Sequence, residues 1–189
     1  MHRATTAVLS ILSALALAGA CAAPSLSVIR RSGPPSALAG MTQVAVSLDS
    51  RSMSVDGAPL AQYLVGRGPD GPEMEQIFGE MNQSLVAGVQ ETSGLGASLA
   101  TGPTAHPGQI QLAVQYLDVV PGYYRGFSAV DGSVHARVTF MVNGQPTDEL
   151  DVTTRSRSAP AEQPTIRGRM NACGRRIGQL VGEYIHTAQ

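Results

Sequence analysis

Three glycines spaced four apart, Gly174, Gly178 and Gly182, set the tightest constraint on how this chain can fold. Around them Ile166, Met170, Cys173, Ile177, Leu180, Val181, Tyr184 and Ile185 form one helical stripe. Arg167, Arg175, Arg176, Gln179 and Glu183 lie largely elsewhere on the helix surface. The spacing predicts an amphipathic C-terminal helix. Each Gly costs a helix interior about 1 kcal/mol relative to Ala. Close packing on a sheet or a second helix gives such a row its reason. A membrane dimer of the GxxxG kind is excluded, because the Arg content forbids a span.

The remaining periodicities supply the layers that this helix must cover. Val44, Val46 and Leu48 alternate within 41–48, as in a half-buried strand. Residues 49–69 read as irregular, with a short strand near Ser54-Val55. Asp70-Gly71-Pro72-Glu73 reads as a capped helix start. Met74, Ile77, Phe78, Met81, Leu85 and Val89 then follow helical spacing to a stop near Gly94. A Gly/Pro loop over 94–109 leads into alternation at Ile110, Leu112, Val114 and Tyr116. Val134, Ala136, Val138, Phe140 and Val142 alternate again. Asn143-Gly144 is a hairpin signal, and Leu150, Val152 and Thr154 read as the partner strand. Residues 156–164 read as a polar linker. The order is β-α-β-β-β-α. It predicts an α+β fold, a mainly antiparallel sheet of about four strands with two amphipathic helices on one face. The first helix is acidic outside and the last is basic, so neighbouring rims could pair.

Composition narrows the function classes. The chain has 189 residues, a mean hydropathy of +0.02 and a net charge of −1. That balance argues against nucleic acid as a partner, since such binders carry a strong basic excess. All 13 cations are Arg, which removes Schiff-base and P-loop chemistry.

The N-terminus carries an address. Met1-His2-Arg3 is a short positive region, Ala7 to Leu17 is apolar, and small residues follow. This is the layout of a secretory signal. Leu17-Ala18-Gly19-Ala20-Cys21 resembles a bacterial lipobox. Lipidation would fall on the Cys21 thiol, with cleavage before it. Ordinary cleavage after Ala18-Gly19-Ala20 is the alternative, and would leave a Cys21–Cys173 disulfide open. The expected organisation is a signal peptide over 1–20, a lipid anchor and flexible tether over 21–40, and one domain over 41–189. Ala22 after the Cys implies, for lipoproteins of the enterobacterial type, the outer membrane facing the periplasm.

Candidate chemistry is sparse. Gly66-Arg67-Gly68-Pro69-Asp70-Gly71 matches G-x-G-x-x-G by letter. Pro69 removes an amide and Asp70 puts negative charge where phosphate would sit, so no nucleotide is expected. His106, His135 and His186 show no metal spacing, and no metal or cofactor is expected. His135 should face outward, where Asp118 could meet it. Asp148, Glu149 and Asp151 cluster at a hairpin, where solvating charges are commoner than acid–base pairs. Cys173 should be an inert thiol on an apolar face. Tyr123, Tyr124, Arg125 and Phe127 gather near the Pro121-Gly122 turn as candidates for contact with a partner. Residues 155–176 hold six Arg against one Glu. Arg167, Arg169, Arg175 and Arg176 are therefore candidates for an anionic surface, or for pairing with the acidic first helix.

Gln115 to Met141, QYLDVVPGYYRGFSAVDGSVHARVTFM, together with the Asn143-Gly144 hairpin and the C-terminal helix, resembles small bacterial envelope lipoproteins classed as a domain of unknown function. The layout is more distantly similar to auxiliary lipoproteins of ABC-type lipid transporters. The first of these families has no established activity to carry over. The lipobox, the tether and the absence of a convergent catalytic set lead to the expectation of a non-enzymatic, lipid-anchored interaction, assembly or transport-accessory module, joined to the membrane through its lipid and to an envelope protein partner. A lipid- or lipopolysaccharide-binding carrier using the groove between helices and sheet is the alternative, and a hydrolase is a second.

Overall fold

The computed structural model describes residues 24–33, 36–100, 106–125, 128–156 and 165–189. Ten strands and three helices follow in the order β1 (Ser25–Arg30), β2 (Gln43–Asp49), β3 (Ser54–Val55), β4 (Ala58–Pro59), α1 (Leu60–Gly66), α2 (Gly71–Ser93), β5 (Gly96–Leu99), β6 (Gln109–Val120), β7 (Tyr123–Arg125), β8 (Ser128–Val130), β9 (Ser133–Val142), β10 (Gln145–Arg155) and α3 (Ile166–Ala188). The α+β class expected from the periodicities is the class observed.

The sheet is larger than four strands. Its main path runs β1-β10-β9-β6-β2-β5, with β3 and β4 attached beside β6 to make eight, while β7 and β8 form a separate hairpin. The side built by β1, β10, β9 and β6 is antiparallel. The side built by β6, β2 and β5 is parallel. A parallel step needs a crossover of a dozen or more residues, and α1 with α2 supplies it between β2 and β5. Asn143 (φ 53) and Gly144 (φ 75) both take the left-handed region, as the tight turn between β9 and β10 requires.

Local expectations fail in four places. Asp70 precedes α2 without a side-chain capping bond, because a single 3-10 turn over Gly68–Asp70 feeds the helix directly. The irregular 49–69 contains α1, and the loop 94–109 contains β5. The fourth is the flexible tether. Residues 25–30 are strand β1, paired along β10 from Ser25↔Thr153 to Arg30↔Glu149. Downstream, Leu38 is fully buried in the core. The short alternation of SLSVIR gains backbone partners only from a strand far along the chain.

Helices α2 and α3 lie on one face of the sheet. Val44, Val46, Ile110, Leu112, Val114, Tyr116, Val138 and Phe140 meet Met81, Leu85, Val89, Ile177, Val181 and Ile185, all essentially without exposure. These side chains fill the space between the layers. The glycine row lies along the contact between the helices. A Cβ on Gly174 would stand 2.3 Å from the Met81 carbonyl oxygen, and one on Gly178 2.0 Å from that of Leu85. One on Gly182 would stand 2.8 Å from that of Val89. Partner numbers rise together, so the helices run parallel. Gly88 on α2 answers the row, 2.2 Å from the Arg175 carbonyl oxygen by the same measure. Thr92 Oγ1 donates to the Gln179 carbonyl at 2.9 Å, adding a bond between the helices.

Candidate functional site

The segment nearest the lipobox is fastened to the body at one buried carboxylate. Asp148 is only 1% exposed, which corrects its reading as a solvating hairpin charge. The Tyr184 hydroxyl donates to Asp148 Oδ1 at 2.7 Å. The Ser32 amide donates to Oδ1 at 3.0 Å, and the Ser32 hydroxyl to Oδ2 at 3.0 Å. Burial raises the carboxyl's pKa, but the hydrogen bonds from Tyr184, Ser32 and Thr147 outweigh it and hold the group below its ordinary value. The Arg31 guanidinium lies 5.4 Å from the centre of the Tyr184 ring. A hollow of about 270 Å³ opens among Arg31, Ser32, Asp148, Tyr184 and Thr187. Ser32 and Asp148 are 116 residues apart, so no local signal could have paired them.

The aromatic hairpin is fastened at the opposite end of the sheet. Arg169, expected on an anionic surface, is instead 2% exposed. Its Nε donates to the Pro121 carbonyl and its Nη2 to the Gly122 carbonyl, each at 3.0 Å. A planar fork suits two adjacent carbonyls, where a Lys point charge would not. Gly122 has φ +68, and a Cβ there would lie 2.4 Å from the Val130 carbonyl oxygen. The base of the hairpin is closed further by Ser156, whose amide donates to the Gly132 carbonyl at 2.8 Å and whose hydroxyl accepts from the Gly132 amide at 3.0 Å. Tyr123 and Val130 stand on this base, 46% and 38% exposed. Phe127 lies outside the described residues, as do the side chains of Tyr124 and Arg125 and the whole of Cys21.

The other Arg candidates sit on the helix rims. Arg167 pairs with Glu80 and lies 3.6 Å from Glu73. That hydrogen bond holds the Glu80 carboxyl below its ordinary range. Arg175 Nε bonds Glu91 at 3.1 Å, and Arg176 lies 3.6 Å from Glu183. Parallel helices place like ends together, and the Arg167 and Arg175 pairs across to α2 offset part of that repulsion, whereas Arg176 pairs within α3. Each exposed pair is worth about 0–1 kcal/mol.

Among the described residues, no helix covers the second face of the sheet. His135 Nε2 lies 2.9 Å from Asp151 Oδ1 there, so its partner is Asp151 rather than Asp118. Arg137 shares the same carboxylates, 3.5 Å from Glu149 and 4.0 Å from Asp151. Asp118 instead accepts from the Ser54 hydroxyl. Among the described residues the His135 ring has no other hydrogen bond, and the pair is a cross-strand contact between β9 and β10. A shallow depression of about 640 Å³ on this face is lined by Ser47, Asp49, Arg51, Gln115, Thr139 and Met141 among others. Cys173 is a free, fully buried thiol pushed up to about 11 by burial. Among the described residues no group of three or more His, Cys, Asp or Glu could hold a metal ion.

The architecture is thus a two-layer α+β sandwich with helices on one face and an open sheet on the other. No protein-family model matches the chain, and neither does any curated protein sequence. Among solved structures the chain is similar to the PelC dodecamer from Paraburkholderia phytofirmans, at 12% identity and a TM-score of 0.47, over 86% of this chain and 97% of that one. It is similar also to protein XCC0632 from Xanthomonas campestris, of the DUF330 family, at 9% identity and a TM-score of 0.44, over 86% and 93%. A minor lipoprotein from Acinetobacter baumannii matches at 9% identity and a TM-score of 0.29, over 76% and 94%. Identity at this level transfers no residue role. Among the described residues, no helix is long and apolar enough to cross a membrane.

Proposed function

We propose that the chain is a lipid-anchored module of the bacterial envelope, held at the periplasmic face of the outer membrane, with an interaction, assembly or transport-accessory role. The observation that carries this reading is the direct coupling of the N-terminal segment to the fold. Only residues 22–24 separate Cys21 from strand β1. Fully extended, that link reaches at most about 14 Å. An acyl group on Cys21 would therefore hold the whole domain against the bilayer surface through β1 and the Ser32–Asp148 lock.

The non-enzymatic part of the reading is supported by several polar groups that are committed to the fold. Asp148 anchors the N-terminal arm, Arg169 clamps a turn, Cys173 is buried, and the rim arginines are engaged by carboxylates. The carrier reading needs space between helices and sheet, where among the described residues the buried apolar side chains of both layers pack together.

The test is the intact mass of the protein extracted from membranes, with the mass of its N-terminal peptide. The expected result is a chain that begins at an acylated Cys21. An unmodified start would overturn the anchored reading.

A further inference from the structure

Strand register places the start of β1 and the aromatic hairpin at the same end of the sheet. Ser25 pairs with Thr153, which pairs with His135. Two residues further along, Arg155 pairs with Ser133, and Ser133 with Val120. The β7–β8 hairpin leaves from that last row. The row lies about 7 Å beyond Ser25, and β6 stands three strand spacings, about 14 Å, across the sheet from β1. The link from Cys21 spans a similar distance at full extension. A bilayer that holds Cys21 is therefore within reach of the end of the sheet that carries Tyr123 and Val130.

Three of the exposed large apolar side chains gather at this end. Tyr123 is 46% and Val130 38% exposed on the hairpin, and Val65 is 81% exposed at the end of α1. Val65 belongs here because the adjacent Leu64 carbonyl abuts Gly71 at the start of α2. The starts of α2 and α3 meet through Glu73 and Arg167, and Arg169 of α3 grips the hairpin base. Exposed Arg155 closes the same end. A Tyr ring with an apolar body and a polar tip suits the boundary between acyl chains and head groups. The hairpin base is held by Arg169, by the close approach at Gly122 and by the Gly132–Ser156 bonds.

We infer that this end of the domain is a second membrane contact, in which Tyr123, Val130 and Val65 seat in the interfacial layer of the bilayer that holds Cys21. The inference rests on the anchored reading above. It adds a fixed orientation, with the β9–β10 turn at Asn143-Gly144 pointing away from the lipid.

The chain contains no Trp, so a single Trp is a unique probe. Two full-length variants, Tyr123→Trp and Gln145→Trp, are extracted in acylated form. They are reconstituted into phosphatidylethanolamine–phosphatidylglycerol vesicles with and without brominated acyl chains. The probe at position 123 should shift to the blue and lose at least about half its emission in brominated lipid, as expected for an interfacial aromatic. The probe at position 145 should keep its emission. Val130→Asp added to the Tyr123→Trp chain should restore most of the lost signal. Equal quenching at both positions, or none at position 123 in a chain of confirmed acyl mass, would overturn the inference and leave the anchor standing. Shielding of position 123 from aqueous acrylamide only when an envelope protein is crosslinked there, without lipid quenching, would overturn it in favour of a protein partner. A chain that carries no acyl mass and fails to float with the vesicles would remove the anchored reading itself, and this inference with it.

Discussion

Replacing Gly178 by Ala tests the packing of the two long helices most directly. On helix propensity alone the change should stabilise by about 1 kcal/mol. The structure predicts the opposite sign. The new methyl carbon would lie 2.0 Å from the Leu85 carbonyl oxygen and 2.8 Å from the Val89 amide nitrogen, both backbone atoms. Ordinary contact begins at 3.4 Å, so the helices would have to part by about 1.4 Å. A gap of about 0.5–1 Å already forfeits a quarter to a half of the dispersion energy across a contact. Separation at Gly178 would loosen Gly174, Gly182 and Gly88 as well. Overpacking of this kind costs about 1–3 kcal/mol and more where backbone blocks relief, so a net loss of about 2–4 kcal/mol is expected. For a chain of this size that is a fall in Tm of roughly 5–15 °C. Gly79→Ala on the exposed side of α2 is the control, since its Cβ would meet nothing within 4 Å. It should raise stability by about 0.5–1 kcal/mol. Urea unfolding of both variants, read by far-UV circular dichroism, separates the two effects. A Gly178→Ala chain as stable as the parent would refute the close parallel contact.

Two further outcomes follow from the buried polar groups. Arg169→Leu leaves the Pro121 and Gly122 carbonyls without their donors and should cost about 3 kcal/mol; urea unfolding with limited proteolysis across 121–132 reads it, and Arg169→Lys should recover little of the loss. Asp148→Asn should loosen the N-terminal arm by about 1–3 kcal/mol, measured as faster amide exchange over residues 26–32. The folded carboxyl sits below its ordinary value, so its contribution is complete above the unfolded pKa of about 3.9 and is lost as pH falls through the folded one. Exchange in the parent arm should therefore accelerate below about pH 4, while the Asn variant shows no such step.

The long amphipathic elements were legible because their periodicity is local. The stripes of α2 and α3, the alternation of β6, β9 and β10, and the Asn143-Gly144 turn all state a face or a turn within a few residues. Strand β1 was not legible in the same way. The six residues after Pro24, Ser25 to Arg30, look like a tether until β10 offers them a ladder. Asp148 looked like a solvent-facing hairpin charge because its donors, Tyr184 and Ser32, come from distant segments. Arg169 looked like one of a basic group, and its neighbours Arg167, Arg175 and Arg176 do lie on the surface. Helical phase turns Arg169 inward, and only the folded turn at Pro121-Gly122 supplies the carbonyls that make that burial tolerable.

The sequence by itself determined the α+β class, the amphipathic faces, the tight hairpin, the buried thiol position and the lipobox-like pattern at Cys21. These are properties of spacing and residue type within single segments. Tertiary structure alone decided that the helices run parallel in backbone contact, that the arm after the lipobox is an edge strand, and that a buried aspartate and a buried arginine fasten opposite ends of the fold. Each depends on which distant backbone meets a given side chain. A short-range pattern holds no record of that partner, because burial of a charge becomes favourable only when the matching donors or acceptors arrive from elsewhere in the chain.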